Sequence, residues 1–478
     1  MARVSPRLTF AVLILGVSTY SLLQSLVNPV LPSLERDLHT TQATVTWVLT
    51  AYLLSASVFT PILGRIGDMV GKERMFIVTL GALGAGSLLA ALSSSVGVLI
   101  LARVIQGIGG AVLPLAFGII RDELPAHKVG GAIGVTAALT AVGGGLGIVV
   151  GGPVVESLGW HWLFWFPLIM CAVAGVAAVM WLPASGVRTP GHVNIPAAVL
   201  LSAWLVALLV GVSEGPAWGW GSGRTLGLLV LSVVLFVAWM AREWRSSQPL
   251  IDMKMMRQPA VWTNNLVALL VGVGLYANMA FLPAFVQTSP SRGYGFASSV
   301  DFSGLFLVPL AVAMFVTGLV SGRASNRIGA KAVLIIGTVL SVVPFVLLAA
   351  AAHAEWVVFV AMGFLGTGFG LAFSAMSALI VAAVPPEQTG VASGMNANIR
   401  TIGGSIGAAV MASIVTSSDV HGVPTAAGYS HGFAVLGVAA ALAALAALLV
   451  PRTAKADQRP VMVSAVPVGA QLAPGPHE

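Results

Sequence analysis

Apolar residues along this chain come in long unbroken runs, not in the every-other-residue alternation of strands or the one-sided stripes of surface helices. Runs long enough to cross a hydrocarbon core as a helix, about 20 residues, fall at 8–28, 44–63, 75–94, 97–120, 130–153, 161–182, 195–213, 224–241, 263–286, 303–322, 332–351, 355–380, 397–416 and 431–450. They predict an all-α polytopic membrane protein with fourteen spans; a spanning barrel would show weaker, alternating segments of about ten residues. Polar residues are left to the joins between runs. The landmark among these joins is residues 64–74, GRIGDMVGKER, read as a short charged loop between two spans.

Composition agrees with the pattern: 57% of residues are hydrophobic, 8% are charged and the mean hydropathy is +0.96, beyond what a soluble core could hide. The 55 glycines suit membrane helices, which associate through small residues. The single cysteine, Cys171, lies in an apolar run, excludes an intrachain disulfide and reads as a small buried side chain. A net charge of +7 could suggest nucleic acid, but the basic residues follow the loops of one side, so no nucleic-acid partner is expected. Eighteen Lys and Arg fall on the side of the N-terminus and three, Arg36, Arg224 and Arg292, on the other, with Arg103 and Arg400 inside or at the edge of spans. The positive-inside rule then places both termini in the cytoplasm, in a multi-pass protein of the cell membrane. The run Leu8–Val27 is long enough to span and lacks a small-x-small cleavage site, so it reads as a retained first span and not a signal peptide.

Glycines repeat at a nearly constant offset. Gly64 and Gly71 return as Gly322 and Gly329 after 258 residues; Gly107 and Gly109 return as Gly366 and Gly368 after 259; Gly130, Gly134, Gly143, Gly144 and Gly147 return as Gly390, Gly394, Gly403, Gly404 and Gly407 after 260. One match means little in so glycine-rich a chain; the set means duplication, with spans 1–6 as one copy, spans 9–14 as the other and spans 7 and 8 as an insert. The expected organisation is a six-helix bundle over 1–190, two inserted helices over 191–245, and a connector with a second six-helix bundle over 246–451. A disordered cytoplasmic tail is expected over 452–478. Residues 242–262 read as the long connection between halves, with a short interfacial amphipathic part.

With GRIGDMVGKER at 64–74, RVIQGIGGA at 103–111 and PLIDMKMM at 249–256 in these positions, the chain resembles the major facilitator superfamily, specifically its fourteen-span drug:proton antiporter branch. The resemblance covers the chain to about residue 450. It implies the major facilitator fold, two six-helix bundles plus two inserted helices. It also implies that Gly64, Arg65, Asp68, Gly71, Lys72 and Arg74 form a conformational latch, in which Asp68 and Arg65 bridge the domains. From the residues alone, the glycines permit close approach, Asp68 can accept from a helix N-terminus, and the basic groups can pair with acids or lipid phosphate; the plainer reading is a positive-inside anchor. The second copy carries Asn326 in place of Asp68.

Arg103 lies inside span 4, where a guanidinium is costly, with Gln106 on the same helix face. It is either a structural arginine satisfied by backbone carbonyls or, as the resemblance implies, a cationic centre near the proton and substrate path. Gly143, Gly147 and Gly151 form a small-residue face on span 5 suited to close packing; the family's Gly-Pro is Gly147-Ile148 here, with a proline only at Pro153. No acid falls in the middle third of a span and no histidine lies inside one, His161 and His431 standing at the first residue of theirs, so coupling would use a group near a span end, such as Asp68, Glu214 or Asp301, or be absent. Coupling candidates are Arg103, Gln106 and Asp68. A substrate cavity between the repeats would draw on Tyr20, Gln24, Asn28, Tyr52, Asn265, Tyr276, Phe281, Phe373, Met376 and Asn396, an aromatic, Met and amide blend suited to an amphiphile.

Residues 211–215, GVSEG, match a nucleophile-elbow pattern, but without a preceding strand they carry no catalysis, and GTGFG at 366–370 is mid-span with no Walker lysine. No cofactor or metal is expected. The reading that results is a secondary exporter of hydrophobic or amphiphilic compounds, drugs or antibiotics, working as a monomer by alternating access in exchange for protons, among membrane lipids. A weakly coupled or uncoupled lipid or metabolite carrier is the alternative, and a receptor or scaffold on a transporter fold the remote one.

Overall fold

A computed structural model describes residues 5–27, 30–184, 192–352, 354–417 and 424–451. Long helices account for the apolar runs: α1 Pro6–Ser25, α2 Gln42–Val70, α3 Lys72–Ala91, α4 Val96–Glu123, α5 Ala126–Leu158, α6 Trp162–Trp181, α7 Ile195–Trp218, α8 Gly223–Arg245, α9 Pro259–Gln287, α10 Gly304–Ile328, α11 Ala330–Ala351, α12 Glu355–Ala383, α13 Thr389–Ser417 and α14 Ala426–Leu449. Among the described residues thirteen helices are long and apolar enough to cross a membrane. The expected span at 130–153 lies within α5, a 33-residue helix some of whose side chains are outside the described residues. No strand occurs among the described residues.

The starts of several helices are visible in the sequence. Ser5, Thr41, Ser95, Asn194, Ser222 and Thr425 stand just before the apolar runs, and each side chain accepts from a backbone N–H of the first turn. The charged join at 64–74 differs from expectation. Residues up to Val70 belong to α2 and those from Lys72 to α3, so the loop reduces to Gly71, whose φ of 125° an L side chain rarely adopts. Its repeat partner Gly329, at φ 89°, separates α10 from α11 in the same way. The helix can continue because Asp68, Lys72 and their neighbours find partners within the protein.

The first half packs around α1, α3, α4 and α6 with the core residues Leu13, Phe76, Leu80, Leu115 and Ala174. The second packs around Phe285, Leu310, Phe345, Phe369 and Phe433 from α9 to α14. Glycines explain how the backbones come so close. A Cβ on Gly143 or Gly147 would meet Ser21 or Ser25 of α1, and one on Gly403 or Gly407 would meet the Leu269 or Val273 carbonyl of α9. Gly151 is buried further along α5. The other ends of α5 and α13 cross to the opposite half: Gly322 of α10 sits on Gly131, and Gly64 of α2 on the Gly390 carbonyl. One glycine array thus serves each bundle and, at its start, the contact between bundles.

The inserted α7 and α8 pack on each other, with α7 also touching α2 and α13. α8 faces outward, with Val230, Val233, Val234 and Val237 exposed, the surface a lipid-facing helix presents. The connector is not a free interfacial segment. Leu250, Ile251 and Met255 are buried against the α7 residues Leu201, Trp204 and Leu205, and Glu243 accepts from the Leu250 and Ile251 N–H groups at 2.9 and 3.3 Å. One turn, Met253–Met256, is helical, capped by Asp252, whose side chain accepts from the Lys254 N–H. The expected tail at 452–478 lies outside the described residues.

The glycine contacts make a paired prediction. Gly407→Ala drives a Cβ onto the Val273 carbonyl, whereas Gly363 has nothing within 4 Å of its would-be Cβ. Gly407→Ala should lower stability by about 1–3 kcal/mol, seen as a drop in the thermal unfolding midpoint of the purified protein. Gly363→Ala should leave the midpoint unchanged or slightly raised.

Candidate functional site

At the Lys- and Arg-rich end, called here the basic face, the two halves are joined by buried polar groups. Asp68, in the last turn of α2, has no accessible surface, and its carboxylate accepts from the N–H groups of Gly390 and Val391 at 3.4 and 3.2 Å. These donors open α13, where backbone N–H groups have no helical acceptor and the helix dipole favours an anion. Lys72, also without accessible surface, lies 3.8 Å from Asp68, 2.7 Å from Asp122 of α4 and 3.5 Å from the Pro386 carbonyl. The methylenes of Lys72 rest on Gly118, the only residue type that leaves them room. Arg121 donates to Thr389 Oγ1 at 2.8 Å, adding a further bond between halves.

Gly64, Asp68, Gly71 and Lys72 come together as expected, but two basic members do not join the contact. Lys72, not Arg65, makes the ion pair with Asp68; Arg65 is half-buried near both Asp68 and Glu243. The Arg74 side chain is 62% exposed and lies 3.9 Å from Glu73, which keeps it on the surface. Asp122, Arg121 and Thr389 were not singled out from the sequence; an acid one turn from a basic loop was the available signal. In the second copy Asn326 is exposed, so the charged contact exists on one side of the pseudo-repeat only.

Above this closure a cavity of about 490 Å³ lies between the halves, in the range of small-molecule sites. Its lining runs along α13 from Ser393 to Ala412, about 28 Å of helix at 1.5 Å per residue. Gln24, Tyr52, Tyr276, Phe281, Phe373 and Asn396 line it. Tyr20, Asn265 and Met376 do not. Tyr20 stands behind the wall beside Tyr52, Tyr276 and Arg400. Asn265 accepts from Asn396 Nδ2 at 2.9 Å and so orients a lining amide instead of facing the space. Met376 is buried, its carbonyl taken by Asn264 Nδ2 at 2.8 Å. Asn28 lies outside the described residues, as does the side chain of Asp301.

Arg103 is a lining residue with no accessible surface. Its Nη1 donates to Gln106 Oε1 at 2.8 Å and to the Leu23 carbonyl at 3.4 Å, its Nε to the Val48 carbonyl at 3.0 Å, and its Cζ lies 4.2 Å from the Tyr52 ring centroid. Gln106 passes the chain on to Ser87 Oγ at 3.0 Å. Carbonyls hold Arg103, as the structural expectation has it, and its buried Nη2 is without a hydrogen-bond partner. Three features were missed. Arg400, a second guanidinium within a span, lines the cavity, and the rule that singled out Arg103 would have found it. Ser213 and Pro216 of the inserted α7 also contribute, and Trp220 beyond it donates to Ser413 Oγ of α13 at 2.7 Å. Ser213 thus sits in a helix wall, not on a strand-to-helix elbow.

The profile of the Major Facilitator Superfamily matches residues 13–408 and again 265–473. The chain belongs to this superfamily. Among its relatives, the tetracenomycin C resistance and export protein of Streptomyces glaucescens is 30% identical over 413 residues, 86% of this chain and 76% of the relative. The multidrug transporter protein MdtP of Bacillus subtilis is 26% identical over 377 residues, 78% of this chain and 69% of its own. The solved structure of the human organic anion transporter MFSD10 (TETRAN) covers 93% of this chain and 99% of its own with a TM-score of 0.68 at 17% identity, a likeness of fold. In this superfamily member the two halves, the seam between them and the closed basic face are the parts that an access cycle needs.

Asp68→Asn should loosen that face. With Cys171 replaced by alanine and spin labels at Arg74→Cys and Ala382→Cys, the parent should give one short distance population by pulsed dipolar spectroscopy. Asp68→Asn should add a longer one, because losing bonds to a charged acceptor, worth about 1.5–3 kcal/mol, shifts the equilibrium about tenfold or more. An unchanged distribution would count against a latch.

Proposed function

We propose that this multi-pass membrane protein is a secondary transporter that exports hydrophobic or amphiphilic small molecules, antibiotics among them, by alternating access. The observation that carries the reading is the cavity of about 490 Å³ between two repeated bundles, closed at one end by contacts that can break as a unit. The names of the relatives, an antibiotic export protein and a multidrug transporter, support drugs as cargo. The lining does as well: Tyr52, Tyr276, Phe281, Phe373, Met279 and Met314 offer apolar faces that adapt to different shapes, while Gln24, Asn396 and Thr401 offer bonds that fix orientation.

With both termini and the basic face on the cytoplasmic side of the cell membrane, the closed latch corresponds to the outward-facing state, and breaking it admits cargo from inside. The chain works as a monomer, since both halves of the pathway are in one polypeptide. Proton exchange belongs to the same reading. No carboxylate lines the cavity among the described residues, so Asp68 is the acid whose protonation would release the α13 N-terminus and open the basic face.

Expression in a host stripped of its own exporters should raise tolerance to part of a panel of amphiphilic antibiotics that includes tetracenomycin C. Asp68→Asn should abolish the gain. Tyr276→Ala should change the rank order of the drugs, with tolerance to individual compounds falling about tenfold for each 1.4 kcal/mol of lost contact. Unaltered tolerance across the panel, with the protein present in the membrane, would refute export of such compounds.

A further inference from the structure

The charge inside the cavity is of one sign. Among the described lining residues Arg103 and Arg400 carry charge, and no Asp, Glu or His accompanies them. Arg103 is fully buried with Nη2 unpartnered. Arg400 has Cζ 4.6 Å from the Phe373 ring centroid, a buried Nε without an acceptor, and no ion pair among the described residues. A guanidinium held in a low-dielectric space is costly, and the cost is normally met by an anion nearby. Among the described residues the protein supplies Arg103 with carbonyls and a ring face, and Arg400 with a ring face alone. The missing counter-charge is therefore one that the cargo can bring.

The two arginines stand on different halves, Arg103 on α4 and Arg400 on α13, so a bound anion would feel both bundles at once. A cation in the same space would meet two like charges with nothing to offset them, which is rejection built into the site. The planar fork of Arg400 suits an oxyanion, and the Phe373 ring beside it and the Tyr276 ring of the same lining suit an aromatic or polycyclic body.

We propose that the cavity selects amphiphiles carrying an anionic oxygen group, a carboxylate or an acidic phenolate, whose charge is taken by Arg400 with Arg103 adding its field from the other half. This names the cargo class for the export reading and rests on that reading for its purpose. Binding is measured separately from export. Three probes share one body and differ in charge: 1-pyrenebutanoate, 1-pyrenebutanamide and 1-pyrenebutylammonium. With the full chain in phosphatidylcholine nanodiscs, probe fluorescence should give tightest binding for the carboxylate, weaker for the amide and weakest for the ammonium. The carboxylate should lead the amide by about ten- to hundredfold.

Arg400→Gln should remove that lead while leaving the amide's affinity in place, and Arg400→Lys should restore most of it. Adding phosphatidylglycerol to the nanodiscs distinguishes the two sources of such an anion: competition with the carboxylate means that a lipid headgroup reaches the same site, and no competition means that it serves soluble amphiphiles. The assignment is overturned if the ammonium binds as tightly as the carboxylate or if none of the three probes binds. It is equally overturned if Arg400→Gln, with the parent's thermal unfolding midpoint, leaves the carboxylate's affinity unchanged. Charge-ordered binding without efflux from probe-loaded cells would sink the export reading and leave the anion site standing. Efflux of the ammonium in preference to the carboxylate would do the reverse.

Discussion

A carboxylate without accessible surface, seated on the first N–H groups of a helix from the opposite half, is the contact on which the arrangement at the basic face depends. Buried ions are a poor source of stability but a strong source of geometry, because a misplaced partner leaves a desolvated charge. Asp68 must therefore meet α13 squarely or not at all, and Lys72, shared with Asp122, ties that choice to α3 and α4. Such an all-or-none contact lets two packed bundles hold discrete positions instead of a continuum.

The pseudo-repeat supplies two seams, and they are unlike. At both, a glycine near the end of the second helix of a bundle sits against the other bundle: Gly64 on Gly390, and Gly322 on Gly131. Among the described residues only the seam of α2 and α13 adds a buried acid; at the other, Asn326 is exposed. An exposed amide has water as its alternative partner, whereas Asp68 has none while the face is shut. The seam of α5 and α10 is a contact of small residues, and the seam of α2 and α13 adds buried charge to the same kind of contact.

Of the inserted pair, α7 is part of the cavity wall, and α8 faces outward. α7 runs beside α2 and α13, contributes Ser213 and Pro216 to the cavity, and through Trp220 bonds to Ser413 of α13. Its other end is tied through Glu243 and the buried connector residues to the start of α13, where Gln388 reaches Asp252 at 3.4 Å. The insert and its connector thus reach both the buried Asp68 contact and the cavity along the flank of a single seam.

Much of the fold was legible because its signals are local or periodic. Span length and hydropathy follow from the hydrocarbon core, the duplication from offsets of 258 to 260 between glycines, and the close α1–α5 and α9–α13 pairs from where those glycines fall. Arg103 could be picked out as well, since a guanidinium in a span is improbable without a task. The sequence could not say which base Asp68 would choose: Arg65 and Lys72 flank it, and only the crossing of α2, α3 and α4 buries Lys72 against Gly118 and leaves Arg65 half-exposed. Nor could it say that Asn265 and Met376 face away from the space that Arg400 faces, because rotation about a helix that is apolar on every side leaves no trace in its pattern. What crosses, what it buries and what charge is left without a partner are facts about helices far apart in the chain, and only their packing decides them.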